Sequence, residues 1–168
     1  MDMNASIDLP EKIQATYHDA KLSLRGPQGE LHRSLPPEVS LQVNGNKIIL
    51  ESSNKAFLNT YIAHIKNMLH GVEKGYVIKL KSIFAHFPMT IEIKGQDILI
   101  KNFLGEKQPR KARLFSLTKL EVKGNEVFLK SPDKETLGLT LASLRKATRI
   151  SNKDPRIFQD GFYIIEGA

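Results

Sequence analysis

Apolar residues recur at every second position in several short stretches of this chain and at every third or fourth position in two longer ones. Ala20 to Leu24 and Leu31 to Leu35 flank the turn sequence Gly26-Pro27-Gln28-Gly29, and Leu41 to Val43 and Lys47 to Glu51 flank Asn44-Gly45-Asn46. An Asn-Gly pair supplies the positive φ of a tight hairpin, so these stretches predict antiparallel strands. After Ser53 as a cap, Phe57, Leu58, Tyr61, Ile62, Ile65, Met68 and Leu69 fall on one face of a helix stopped by Gly71. Such a stripe is core. A further strand, Tyr76 to Leu80, is expected to close this unit.

The same order returns further along. Strands are predicted near Thr90 to Lys94, Asp97 to Lys101, Leu117 to Val122 and Glu126 to Lys130, with Lys123-Gly124-Asn125 as a hairpin. Ser131-Pro132-Asp133 then opens a second helix, with Leu137, Leu141 and Leu144 on its buried side. Individual residues repeat as well. Leu22, Leu24, Gly29 and Glu30 return 76 positions on as Ile98, Ile100, Gly105 and Glu106, and Val43, Gly45, Asn46, Leu50 and Ser52 return 79 positions on as Val122, Gly124, Asn125, Leu129 and Ser131. The change of offset implies three inserted residues, expected as a longer loop within Lys107 to Phe115 that carries Lys107, Arg110, Lys111 and Arg113. The pattern predicts an α+β protein made of two tandem copies of one fold, each mainly antiparallel strands packed with one helix. The copies are expected over residues 1–84 and 85–168, with the boundary in Ala85-His86-Phe87-Pro88.

Composition narrows the function more by exclusion than by pointing. At 168 residues, 40% hydrophobic and 26% charged, the chain is long enough for one large or two small globular domains. No apolar run approaches the roughly 18 residues that span a bilayer, and the first thirty residues lack a secretory pattern, so a cytoplasmic protein without a membrane partner is expected. With no cysteine there is no disulfide frame and no thiolate metal site. Gly26 and Gly29 lie between two strand patterns without the Lys-Ser or Lys-Thr of a phosphate loop. His64 and His70 are six apart on a helix and share no face, and His86 has no second ligand at metal spacing. Glu92, Asp97, Asp133, Glu135 and Asp160 are scattered. No catalytic residue, metal, cofactor or small-molecule substrate is expected.

Charge is what remains. The net charge is +7, with ten Lys and Arg against eight acids in residues 1–84 and fifteen against ten in residues 85–168. The densest stretch, Arg145 to Ile164, carries Arg145, Lys146, Arg149, Lys153 and Arg156 against Asp154, and then runs into Phe158, Phe162, Tyr163 and Ile164, with Asp160 among them. A basic last turn is ordinary at a helix end. Five cations with aromatic neighbours are better suited to a polyanion.

Three stretches, GPQGELHR at 26–33, NFLGEKQPR at 102–110 and ATRISNKDPRIFQDGFYI at 147–164, together with NTYIAHIKNMLHGVEKGY and FAHFP between Asn59 and Pro88, carry a resemblance. They resemble the large-subunit ribosomal protein family known in bacteria as L-six and in eukaryotes as L-nine, in its archaeal and eukaryotic branch. The resemblance covers nearly the whole chain. It implies two tandem α+β domains and a structural, non-enzymatic role on large-subunit ribosomal RNA beside the sarcin-ricin loop and the base of the factor-binding stalk. Its implied partners are that RNA and neighbouring ribosomal proteins, with no homo-oligomer. It also implies that the second domain makes most of the RNA contact, through Lys101, Lys107, Arg110, Lys111 and Arg113 in and after the FLGEK loop and Arg149, Lys153, Arg156 and Gln159 in the terminal motif. Phe158 and Tyr163 are either contacts or core residues holding the motif. At Leu139 and at Leu144-Arg145-Lys146 the chain departs from the family pattern, which gives no warrant for Arg145 or Lys146 as contacts.

Binding of this kind draws free energy from counterion release, with bidentate arginine contacts to phosphate added. The alternatives are a small RNA-acting enzyme using Asp154 or Asp160 as acid or base, and a nonspecific nucleic-acid binder. The basic loop after Lys107 is expected to be incompletely ordered without RNA, because its cations repel one another.

Overall fold

The computed structural model describes residues 3–154 and 156–167; Pro155, inside the terminal motif, and Ala168 lie outside the described residues. The chain forms two compact units, residues 3–75 with 132–134 and residues 76–131 with 135–167.

The first unit contains strands β1 (Met3–Asp8), β2 (Gln14–His18), β3 (Lys21–Gly26), β4 (Gly29–Ser34), β5 (Val39–Asn44) and β6 (Lys47–Ser52), followed by helix α1 (Lys55–Glu73). They make two antiparallel three-stranded sheets, ordered β1-β6-β5 and β2-β3-β4. Period-two alternation puts Leu22 and Leu24 of β3 and Ile48 and Leu50 of β6 fully inside. The α1 stripe adds Leu58, Ile65, Met68, Leu69 and Val72. Each such side chain contributes about 1.5–3 kcal/mol when fully removed from water.

Asn54, not Ser53, caps α1, its Oδ1 accepting from the Ala56 amide at 2.9 Å. The helix also runs through Gly71. Burying Val72 completely outweighs the roughly 1 kcal/mol that an internal glycine costs, and the turn out of the helix is made at Gly75, with φ 78°. The expected start of β3 at Ala20 is instead a tight turn: Asp19 and Ala20 have φ of 50° and 56° and join β2 to β3.

The second unit contains β7 (Tyr76–Ile83), β8 (Thr90–Lys94), β9 (Asp97–Lys101), β10 (Arg110–Arg113), β11 (Lys119–Lys123), β12 (Glu126–Ser131), helix α2 (Lys134–Ala147) and β13 (Gly161–Glu166). Its sheets are ordered β11-β12-β7-β13 and β10-β9-β8. The strand at Tyr76–Leu80, expected to close the first unit, therefore opens the second. β7 pairs with β12 from Tyr76↔Ser131 to Lys81↔Glu126 and with β13 from Ile83↔Gly161. It holds the place beside β12 and β11 that β1 holds beside β6 and β5. A strand's own alternation tells which face is buried and not which strand lies alongside, so the partner was hidden.

The register also locates the insertion. Leu24 faces Leu31 across the first hairpin, whereas its counterpart Ile100 faces Arg110. The extra residues thus lie between β9 and β10, in residues 102–109. Arg110, Lys111 and Arg113, expected in a loop, are on strand β10. A separate core fills this unit, with Leu80, Ile98, Ile100, Phe103, Val127, Leu129, Leu137 and Leu144 at its centre.

Candidate nucleic-acid interface

Strand β10 reads Arg-Lys-Ala-Arg, and pleating sends its residues to opposite faces. Ala112 and Arg110 face inward opposite Ile98 and Ile100, while Lys111 and Arg113 are exposed. Helix α2 takes the backbone at and beyond the end of this edge strand: the Arg113 amide donates to Ser143 Oγ at 2.7 Å and the Phe115 amide to Thr140 Oγ1 at 3.2 Å. Between the two elements lies an open groove of about 440 Å³, lined by Asp97, Lys111, Ala112, Arg113, Ser143, Lys146 and Ala147. Lys146, for which the family pattern gave no warrant, stands there with two of the predicted cations.

The loop before β10 is built on Phe103, which is fully buried. Asn102, Leu104 and Gly105 all have positive φ, and the tight turn so formed closes with the Glu106 amide donating to the Phe103 carbonyl at 3.0 Å. Asn102 Nδ2 donates to the Pro88 carbonyl at 3.2 Å. A Cβ on Gly105 would stand 3.2 Å from the Phe87 ring, so both packing and conformation favour glycine at this position.

Arg110 ties this loop to the far end of α2. Its Nε and Nη2 donate to the two Glu106 carboxylate oxygens at 2.8 and 2.6 Å, and Nη1 donates to the Ala147 and Arg149 carbonyls, both at 3.0 Å. The guanidinium also lies 4.3 Å from the Phe103 ring centroid, a cation–π distance. Hydrogen bonding from Arg110 holds the Glu106 carboxyl below its ordinary value against some desolvation, with the charges of Arg110 and Lys153 adding to it. Glu106 in turn raises Arg110.

The segment after α2 is shaped by its own short-range bonds. Asp154 Oδ1 accepts from the Arg156 amide at 2.9 Å, and the Asp154 carbonyl accepts from the Ile157 and Phe158 amides. Lys153 Nζ sits 4.5 Å from the centroid of the half-buried Phe158 ring. Arg156 projects into solvent with 91% of its side chain exposed, Arg149 is exposed, and Gln159 Nε2 donates to the Arg156 carbonyl at 3.4 Å. Tyr163 is not core: it is 47% exposed on strand β13 and its hydroxyl donates to the Gln159 carbonyl at 2.9 Å.

The predicted residues therefore fall into distinct groups. Arg110 and Lys153 act on Glu106, next to the exposed Lys107 in sequence, and Arg149 is joined to them through its carbonyl, which accepts from Arg110. Lys111 and Arg113 line the groove with Lys146. Lys101 ends β9 and is bound to Glu92 at 2.6 Å, and Arg156 and Gln159 form the turn before β13. Glu106 stands in the sequence only as the repeat of Glu30, with no role at the interface expected of it; its position four residues before Arg110 was the available signal. Asp154 is exposed, but its carboxylate is engaged by the Arg156 amide of its own turn and by Arg156 Nε at 3.7 Å, and Asp160 is buried, its Oδ1 accepting from the Ala85 amide at 3.4 Å. Among the described residues no three His, Cys, Asp or Glu side chains gather as a metal site, and no helix is long and apolar enough to cross a membrane.

Counted over the two units, the charge is more unequal than over the two halves of the sequence. The first unit carries nine Lys and Arg against nine acids and the second sixteen against nine, so the whole +7 resides in the second. The family model for ribosomal protein L6 matches residues 87–161, all but 132–134 of them in this unit. Over nearly its full length the chain is similar to the large ribosomal subunit protein uL6 of Methanobrevibacter smithii, at 40% identity over 95% of this chain and 93% of the relative. It is 40% identical to that of Methanocella arvoryzae over 96% of each, and 36% identical to that of Natronomonas pharaonis over 98% of this chain and 96% of the relative. With two α+β copies, a basic second copy and this extent of identity, the chain belongs to the ribosomal protein L6 family.

Proposed function

We propose that this protein is a structural constituent of the large ribosomal subunit, not an enzyme, and that its second unit binds large-subunit ribosomal RNA near the sarcin-ricin loop and the base of the factor-binding stalk. The observation that carries the reading is the placement of the entire net charge in the second unit, with its cations set on a fixed framework of strand, turn and helix end. Kinship with proteins named for the large subunit gives the assembly. Lys101, Lys107, Lys111, Arg113, Arg149, Lys153, Arg156 and Gln159 provide the contacts, and Lys146 joins Lys111 and Arg113 at the groove. Phosphate contacts position such a protein, and the shape of one RNA junction selects the site. The neutral first unit meets neighbouring ribosomal proteins.

Binding to a large-subunit RNA fragment containing the sarcin-ricin region is compared with binding to a scrambled RNA of equal length across a salt series. The cognate fragment is expected to bind several kcal/mol more tightly, with the advantage kept at high salt. Coincident curves that fall together with salt would leave only a nonspecific basic protein.

A further inference from the structure

We infer that Arg110 is a positioning residue: with Glu106 it clamps the 102–109 loop to the chain after α2, setting Lys107, Arg149 and Lys153 in place before any RNA arrives. The inference rests on the RNA-binding role proposed above and assigns Arg110 a different part in it from the phosphate contact that the sequence implies.

A guanidinium has five N–H donors, and in Arg110 four hydrogen bonds go to protein acceptors: two to Glu106, one to Ala147 and one to Arg149. Its side chain is only 25% exposed and is stacked on Phe103. One remaining donor cannot make the paired, fork-shaped contact that makes arginine a strong phosphate ligand. The carbonyls it does satisfy have a particular need. Ala147 is the last residue of α2, and the final carbonyls of a helix lack partners within it and carry its negative end, which a cation stabilises. Arg110 thus terminates α2, fixes the direction in which the chain leaves it, and does so from a strand more than thirty residues earlier.

Glu106 is the other half of the clamp. An acid in the middle of a surface for a polyanion weakens attraction if charge is all that matters. It is accounted for when its work is to hold Arg110: both carboxylate oxygens accept from the guanidinium, and these bonds are the first cause of its lowered pKa. The loop's order then comes from an ion pair within the protein and not from RNA, the reverse of what repulsion among its cations suggested.

The decisive variant is Glu106→Gln. It removes a negative charge from a basic surface, so electrostatics alone predicts tighter RNA binding, whereas the clamp predicts binding about tenfold weaker, the scale of ordering one or two side chains. Arg110→Lys, which keeps the charge and loses the fork, is expected to lose a similar factor. Hydrogen exchange of the free proteins reads the clamp without RNA: both variants should speed exchange at residues 103–108 and 148–153 and leave the β11–β12 amides, which report the fold, as slow as before. Lys107→Gln should weaken RNA binding with exchange unchanged. Tighter binding by Glu106→Gln, or unaltered exchange in the loop, overturns the inference. A wild-type protein without preference for the cognate fragment would overturn the proposed function while exchange still reported on the clamp.

Discussion

Leu31 and Arg110 occupy the same position in the two copies of this fold, each facing inward across from the matching residues Leu24 and Ile100. In the first copy the preceding turn is two residues long, Pro27-Gln28, and Gly26 packs so closely that a Cβ there would lie 2.7 Å from the Val72 carbonyl oxygen. The Gln28 amide donates to that same oxygen at 2.9 Å, so the hairpin closes directly onto α1. In the second copy residues 102–109 replace the two-residue turn, and the inward leucine has become an arginine that reaches across to the end of α2. A duplicated scaffold has kept its strand order and core and changed its hairpin. The copies differ again after the helix: α1 passes through Gly75 toward the next strand, while α2 is followed by residues 148–160 and an additional strand. Both departures hold cations. The proposed interface lies where the second copy leaves the pattern of the first.

The sharpest way to break the contrast is to remove the residue on which the longer loop is built. Phe103→Ala should cost about 3–5 kcal/mol by creating a cavity under the loop, read as a lowered denaturation midpoint for the second unit, with RNA affinity falling as Arg110 loses its platform. The complementary change in the first copy is Gly26→Val. Its branched side chain meets backbone, so the first unit should lose about 1–3 kcal/mol while RNA affinity measured below the transition stays within twofold. Charge comes next in size. Neutralising Arg149 and Lys153 together should flatten the dependence of log K on log salt by roughly 0.7–0.9 for each phosphate left without its cation, whereas Lys21→Gln with Lys47→Gln in the first unit should leave the slope as it was. An acid titration gives the smallest effect. The Glu106 carboxyl is depressed in the folded protein, so its stabilising contribution is complete above the ordinary carboxylate pKa of 4.5 and is lost as pH falls through the lower folded value. Denaturation followed from pH 6 to pH 3 should show a shallower loss in Glu106→Gln than in the parent.

Much of this was legible in the chain. The Asn44-Gly45 and Lys123-Gly124 hairpins carry positive φ at Gly45 and Gly124 as their sequences require, and the apolar repeats located both helices and the duplication. What escaped has a common physical cause. β10 has one buried apolar residue, Ala112, among three cations, so its period of two is written in charge and reads as loop. β13 is an edge strand with Phe162 buried and Tyr163, Ile164 and Ile165 exposed, which local pattern cannot separate from an apolar platform beside a basic segment. At the site, the count of cations was readable and their division was not. Whether an arginine faces phosphate or serves its own chain depends on Glu106, Phe103 and the carbonyls of Ala147 and Arg149, and only the fold brings these together.

The position of β7 also sets an order of events. Its two neighbours, β12 and β13, are both made later, the second of them from residues 161–166. During synthesis the first unit's sheets and α1 can form from the first 75 residues, but β7 emerges as a strand with neither edge paired and stays so until some fifty further residues supply β12. Its β13 side waits for residues 161–166, a closure of long sequence separation and correspondingly slow. A nascent chain caught between these points presents an open apolar edge of the kind that invites pairing with another chain. The second unit is thus the part of the fold whose central pairing closes last.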